Sequence, residues 1–291
     1  MKEIQREQFG DFSVLHREAS GKPRVALHFL HATGFNAETY RLLFSALDPS
    51  FDVYAMDARG HGFSRAVADP RKLHSWAPFR RDLEALVETL PRPLVHVGHS
   101  MGATVSMELA ARRPGLVEGL VMIDPVMFPP GSVLWALASR SFGLLGRKLP
   151  VAQMAAKRRM EFPSKEAAVD NYVGKGAFKT WSREWIEAYV DGGTVPVDSG
   201  VRLSCEREWE SRVFAKSTVN PYPSLRKVCC PITLITREHE GPPFTRASRD
   251  GFMSCQPGTR LRILQDATHF LAMEQPEMVQ AEIERMVDAV A

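Results

Sequence analysis

The chain has 291 residues, 44% hydrophobic and 24% charged, the make-up of a soluble globular protein rather than a disordered or low-complexity one. Thirty-seven basic against 34 acidic residues leave a net charge of +3, too small to argue for nucleic acid or an anionic membrane as partner. No stretch is apolar for long enough to span a bilayer, no charged-then-apolar signal opens the chain, and Cys205, Cys229, Cys230 and Cys255 lack metal or redox spacing. The expectation is therefore a cytoplasmic protein with reduced, mostly buried thiols. In chain order, Ile4–Phe9 and Phe12–Glu18 flank Gly10-Asp11 and predict a hairpin. Val25–Leu30 and Phe51–Met56 are continuous apolar runs that read as buried strands, the second ending at Asp57. Leu83, Leu86, Val87 and Leu90 recur at helical spacing within 80–90. Leu94–Val97 is a third apolar strand, and Ala103–Ala111 a helix that stops near Arg113-Pro114-Gly115. Gly119–Ile123, Ile232–Thr236 and Leu261–Leu264 complete the strands. A final helix carries Val279, Ile283, Met286 and Val290 on one face. Apolar strands alternating with amphipathic helices predict an α/β fold, a mostly parallel twisted sheet flanked by helices.

The alternation is interrupted between Val126 and Val228, a length comparable to a small domain. That stretch carries Trp135, Trp181, Trp185, Tyr189 and Trp209 in segments that read as helical, with turn-rich pieces at Asp191-Gly192-Gly193 and Asp198-Ser199-Gly200. We read 1–125 and 229–291 as one core and 126–228 as a helical cap over the C-terminal edge of the sheet, where such folds place ligands. The aromatic residues are expected mainly to hold the cap together and dock it on the core. Lys157-Arg158-Arg159 is expected on a solvated helix face.

Gly98-His99-Ser100-Met101-Gly102 stands between the Leu94 strand and the following helix. A serine on so tight a turn is lifted above the sheet in a strained conformation, and both flanking positions must be small because strand and helix nearly touch. The helix N-terminus behind it faces any negative charge that develops. An alcohol needs a base, and nine histidines compete for the part. His96 is expected to point into the sheet, His99 to be structural, and His61 to shape a rim. Asp57 and Arg59 end a strand and its turn, and Arg59 is expected to pin loops rather than touch substrate.

Five segments in order resemble the α/β-hydrolase superfamily, of the serine esterase type with a helical cap after strand six. They are His31–Asn36, Asp57–Ser64, Gly98–Gly102, Leu120–Pro125 and Ala267–Phe270. The resemblance covers nearly all of the chain outside the cap. It implies Ser100 as nucleophile and His269, after the last strand, as base. It implies an oxyanion hole of two backbone N–H groups, from Met101 and from Thr33, the latter in a loop where alanine (Ala32) replaces the usual glycine. For the acid it offers two positions, Asp124 after strand six and Glu240 after strand seven, and Asp124 is placed first with Glu240 close beside it. The implied activity is hydrolysis of carboxylic esters of small apolar or aromatic molecules through an acyl-enzyme. Carbon–carbon bond hydrolysis, thioesterase, lactonase, amidase, perhydrolase or acyltransferase chemistry could use the same residues, and a ligand binder that keeps the fold without catalysis is the remaining alternative. No metal and no organic cofactor is expected, and the expected partner is a small-molecule ester, with neither nucleic acid nor membrane.

Overall fold

The computed structural model describes residues 3–131, 149–216, 220–238 and 241–291. An eight-stranded sheet forms the centre. Its strands are β1 (Gln5–Phe9), β2 (Phe12–Arg17), β3 (Ala26–Leu30), β4 (Asp52–Met56), β5 (Leu94–His99), β6 (Gly119–Ile123), β10 (Ile232–Arg237) and β11 (Arg260–Leu264). The spatial order is β1-β2-β4-β3-β5-β6-β10-β11. From β4 to β11 all neighbours run parallel, whereas β1 and β2 form the expected hairpin and join β4 antiparallel at one edge.

The long apolar runs are explained by burial on both faces. In β5, Val95 and Val97 pack on one side with Leu27, Phe29 and the C-terminal helix Pro276–Val290 through Ile283 and Val287. Leu94 packs on the other side with Leu83, Leu86 and Val105, from helices Ala77–Val87 and Met101–Arg112. His28 and His96 are register partners on β3 and β5, and both are fully buried. Their rings stand 5.2 Å apart.

Between β6 and β10 the described residues form helices Pro150–Ala156, Lys165–Tyr172, Arg183–Gly193, Arg207–Ala215 and Tyr222–Leu225. They also form a small antiparallel sheet, β7 (Glu161–Phe162), β8 (Thr194–Val197) and β9 (Gly200–Leu203), in the order β7-β9-β8. The purely helical expectation missed this sheet. Its signal is Asp198-Ser199, the turn joining β8 to β9, between runs too short for periodicity to register. Trp135 lies outside the described residues. Trp181, Trp185, Tyr189 and Trp209 are all buried. The segment is tied to the loops at the C-terminal ends of β3 and β4. Asn36 donates to the Tyr189 carbonyl at 3.0 Å, and the Trp209 indole N–H donates to the Arg59 carbonyl at 3.1 Å.

Two surface expectations need correction. Arg158 is not on a solvated face: its guanidinium pairs with Glu210 at 2.8 Å and lies 5.6 Å from the ring centres of Tyr172 and Tyr189. Glu210, on a neighbouring helix, supplies a counter-charge that the local sequence does not announce. Among the cysteines only Cys205 is buried. Cys229 is exposed, in the turn that leads into β10, and all four are free thiols.

Candidate active site

Ser100 sits between β5 and helix Met101–Arg112 with φ 58° and ψ −116°, a region that L-residues rarely adopt and that costs on the order of 1–3 kcal/mol. Close approach enforces the turn. A Cβ on Gly102 would lie 2.0 Å from the Leu30 carbonyl oxygen, and one on Gly98 would lie 2.5 Å from the Ala103 nitrogen. Gly102→Ala must push the helix off β3, and we expect it to cost about 2 kcal/mol or more, read as a lower urea midpoint at unchanged m-value.

His269 follows β11 and reaches over the serine. The Ser100 hydroxyl donates to His269 Nε2 at 2.9 Å, and His269 Nδ1–H donates to Asp124 Oδ2 at 2.6 Å. Asp124 ends β6 with φ 37° and is fully buried, Ser100 is 5% exposed, and the His269 side chain is 19% exposed. Serine, imidazole and carboxylate thus stand in one hydrogen-bonded line. Glu240, the other acid considered, lies outside the described residues.

Asp124 holds two further partners. Thr236 Oγ1 donates to Oδ1 at 2.8 Å, and Arg237 Nη1 donates to Oδ2 at 2.5 Å. Arg237 is itself buried, and its second nitrogen donates to the carbonyls of Gly241 and Pro242. It was not among the residues singled out from the sequence. The available signal is a charged side chain closing the apolar run Ile232–Thr236, as the final residue of β10.

The loop after β3 is held as tightly. His31 Nδ1–H donates to the Ala32 carbonyl at 2.7 Å, and the Phe35 N–H donates to the same carbonyl at 3.1 Å. His31 Nε2 accepts from the Ala58 N–H at 2.9 Å. Because a trans peptide points its C=O and N–H in opposite directions, fixing the Ala32 carbonyl fixes the Thr33 N–H. Among the described residues neither the Thr33 nor the Met101 N–H has an acceptor. The left-handed residue of this loop is Gly34, with φ 79°, so alanine at position 32 brings no strain. The Gly34 N–H donates to His61 Nε2 at 3.1 Å, while His61 Nδ1–H donates to the Arg59 carbonyl at 3.0 Å. Burial pushes His31 down to about 4 and His61 down to about 3, so both rings are neutral braces.

Arg59 forms a two-pronged pair with Asp82, both contacts at 2.5 Å, and also donates to the Val67 carbonyl, which pins loops as expected. Asp57 accepts from the N–H groups of Ala37 and Phe63 and from Arg6. A cavity of about 660 Å³ bordered by Arg159, Glu161, Arg202, Arg207 and Trp209 contains none of the residues of the serine–imidazole–carboxylate line.

A parallel sheet carrying that line at its C-terminal edge defines the α/β-hydrolase class. Residues 29–282 match the alpha/beta hydrolase family, and the chain belongs to it. It is 25% identical over 98% of its length to 2-(acetamidomethylene)succinate hydrolase of Mesorhizobium japonicum, covering 95% of that protein. The crystal structure of an E-2-(acetamidomethylene)succinate hydrolase superposes with a TM-score of 0.78 at 23% identity, over 98% of both chains. An esterase of Mycobacterium tuberculosis superposes with a TM-score of 0.74 at 25% identity, over 98% of this chain and 92% of that one. Among the described residues, no helix is long and apolar enough to cross a membrane.

Proposed function

We propose that this α/β hydrolase cleaves carboxylic esters of small apolar or aromatic molecules through an acyl-enzyme. The observation that carries the reading is the unbroken line from Ser100 Oγ to His269 Nε2 and from His269 Nδ1 to Asp124. In this reading Ser100 attacks the carbonyl as His269 takes its proton. Asp124 orients the ring and stabilises the imidazolium that forms. The N–H groups of Thr33 and Met101 receive the oxyanion, with the helix N-terminus behind Met101 adding its dipole. His269 then protonates the leaving alcohol; a water that gives its proton to the same imidazole attacks the acyl carbon, and the bond to Ser100 Oγ breaks to free the acid and restore the serine. The likeness to an esterase at 25% identity supports the choice of ester.

A second reading is favoured by the full-length likeness to 2-(acetamidomethylene)succinate hydrolase, whose named substrate carries an acetamide. Hydrolysis of a short N-acyl group uses the same serine and base, with nitrogen as the leaving atom. A panel of p-nitrophenyl acetate and butyrate, thioesters, lactones, vinylogous diketones and N-acetyl enamines separates the readings. Wild type is expected to show a p-nitrophenolate burst, and Ser100→Ala is expected to lower kcat by about 10⁴-fold or more. Retained turnover in the alanine variant would misplace the nucleophile. Turnover confined to N-acyl compounds would favour the amide reading, and acceleration by added alcohol an acyltransferase.

A further inference from the structure

His99 and Tyr40 stand beside the reacting groups without belonging to them. Both are fully buried. The Tyr40 hydroxyl donates to His99 Nδ1 at 2.7 Å, which leaves the proton of the ring on Nε2. His99 Nε2–H then donates to the main-chain carbonyl of His269 at 2.8 Å. On its other side the Tyr40 oxygen accepts from the Ala32 N–H at 3.3 Å. One hydrogen-bonded chain therefore runs from Ala32, through Tyr40 and His99, to the backbone that carries His269.

The two ends of this chain matter. Ala32 precedes Thr33, whose N–H is the oxyanion donor in the reading above. His269 is the base of that reading. Its loop is held from the opposite side, where the Thr268 N–H and hydroxyl both donate to Glu274 at 2.6 Å. The loops after β3 and β11 belong to strands far apart in the sheet, and β5, which carries His99, lies between them. The neutral imidazole suits this place because it carries one acceptor and one donor, taking a hydroxyl proton on one nitrogen and giving its own from the other. The His269 carbonyl, which can only accept, holds the proton on Nε2, and the Tyr40 hydroxyl supplies the donor that Nδ1 then needs.

We propose that Tyr40 and His99 are positioning residues that hold the base and the oxyanion loop in register across Ser100. The proposal rests on the hydrolase reading, in which misplacing a reacting group by an ångström costs about 10²-fold in rate. Tyr40→Phe removes one hydroxyl without changing ring volume. It leaves the Ala32 N–H without an acceptor and His99 Nδ1 without its donor, so the ring loses its anchor on the Tyr40 side. His99→Leu removes the donor outright, and His99→Gln restores an N–H of similar reach.

The test measures p-nitrophenyl butyrate hydrolysis and the rate at which a fluorophosphonate labels Ser100, with thermal melts run alongside. The expected result is a kcat and a labelling rate lower by about 10- to 100-fold in Tyr40→Phe and His99→Leu. KM is expected within about threefold of wild type, with His99→Gln recovering most of the lost rate. Nitrogen-15 shifts of His99 are expected to report the Nε2–H form in wild type and in Tyr40→Phe, with the Nδ1 shift alone changed by loss of its hydroxyl donor. Wild-type kcat and labelling in both Tyr40→Phe and His99→Leu would overturn the proposal. So would losses of kcat that track the fall in melting temperature and are not recovered by glutamine. If Ser100→Ala keeps the wild-type rate, or fluorophosphonate labels another residue, the hydrolase reading has failed instead.

Discussion

Asp124→Asn is expected to lower kcat by about 10⁴-fold, whereas Glu240→Gln is expected to leave it within about threefold of wild type. The asparagine has the same shape but cannot hold the imidazole with its proton on Nδ1, so Nε2 no longer faces the Ser100 hydroxyl as an acceptor. It also cannot stabilise the imidazolium that forms when the serine attacks. Asp124 is fully buried and 2.6 Å from His269, which leaves no room for water to substitute. A second consequence separates this site from a triad with an isolated acid. Asp124 is also the counter-charge of Arg237, itself only 6% exposed. Neutralising the aspartate removes one charged partner of the buried Arg237 guanidinium, which keeps its bonds to the Gly241 and Pro242 carbonyls. Asp124→Asn is thus expected to lose stability as well as rate. Kinetics should be run below the melting range of both proteins, with circular dichroism melts beside them. The reverse pattern, a near-normal Asp124→Asn and a dead Glu240→Gln, would make Asp124 a support of the active-site floor and Glu240 the acid.

Stability is expected to collapse on mild acidification, with the melting temperature falling on the order of 15 °C between pH 7 and pH 5.5. Burial holds His28, His61 and His99 down to about 3, His31 down to about 4, and His96 well below its ordinary value. Unfolding returns each to about 6.5. Below that value the unfolded chain takes up more protons than the folded one. The stability these groups confer is therefore complete above about pH 6.5 and is lost as the pH falls toward 3–4. Each contributes a slope of about 1.4 kcal/mol per pH unit well below 6.5. Together they reach the whole stability of an ordinary domain, about 5–15 kcal/mol, within about two units. His16 acts in the opposite sense. Burial lowers it, but hydrogen bonds with Asp52 and Glu7 outweigh that and leave it raised, so it adds stability as the pH falls. One such group does not offset five. The cleanest variant is His28→Leu with His96→Leu. Among the described residues none of their four ring nitrogens has a hydrogen-bond partner. Removing them is expected to leave stability at pH 7.5 nearly unchanged or raised and to flatten the acid slope. A melting temperature constant from pH 7.5 to pH 5 in wild type would show that these rings are not held neutral by burial.

The order of elements, the two-faced burial of the sheet and the tight turn at Ser100 were all legible in the chain itself. Each of these is a local pattern: an apolar run, a helical period, or two glycines flanking one serine. Among nine histidines the resemblance puts His269 forward by its place in the chain order, and the fold sets that ring 2.9 Å from Ser100 Oγ. For the neighbouring carboxylate the same order offers two positions, with Asp124 placed first and Glu240 close beside it. Asp124 and Glu240 both follow strands, and which carboxylate meets the imidazole depends on the distance between strand ends 145 residues apart in sequence. Arg237, Tyr40 and the pairing of Arg158 with Glu210 were invisible for the same reason: a buried charge or hydroxyl is recognised by its partner, and the partner is supplied by another element. Local physics thus determined which elements form and which serine is strained. Only the tertiary structure decided which polar groups face one another, because hydrogen bonds and ion pairs are set by ångström distances across the fold and leave no period in the sequence.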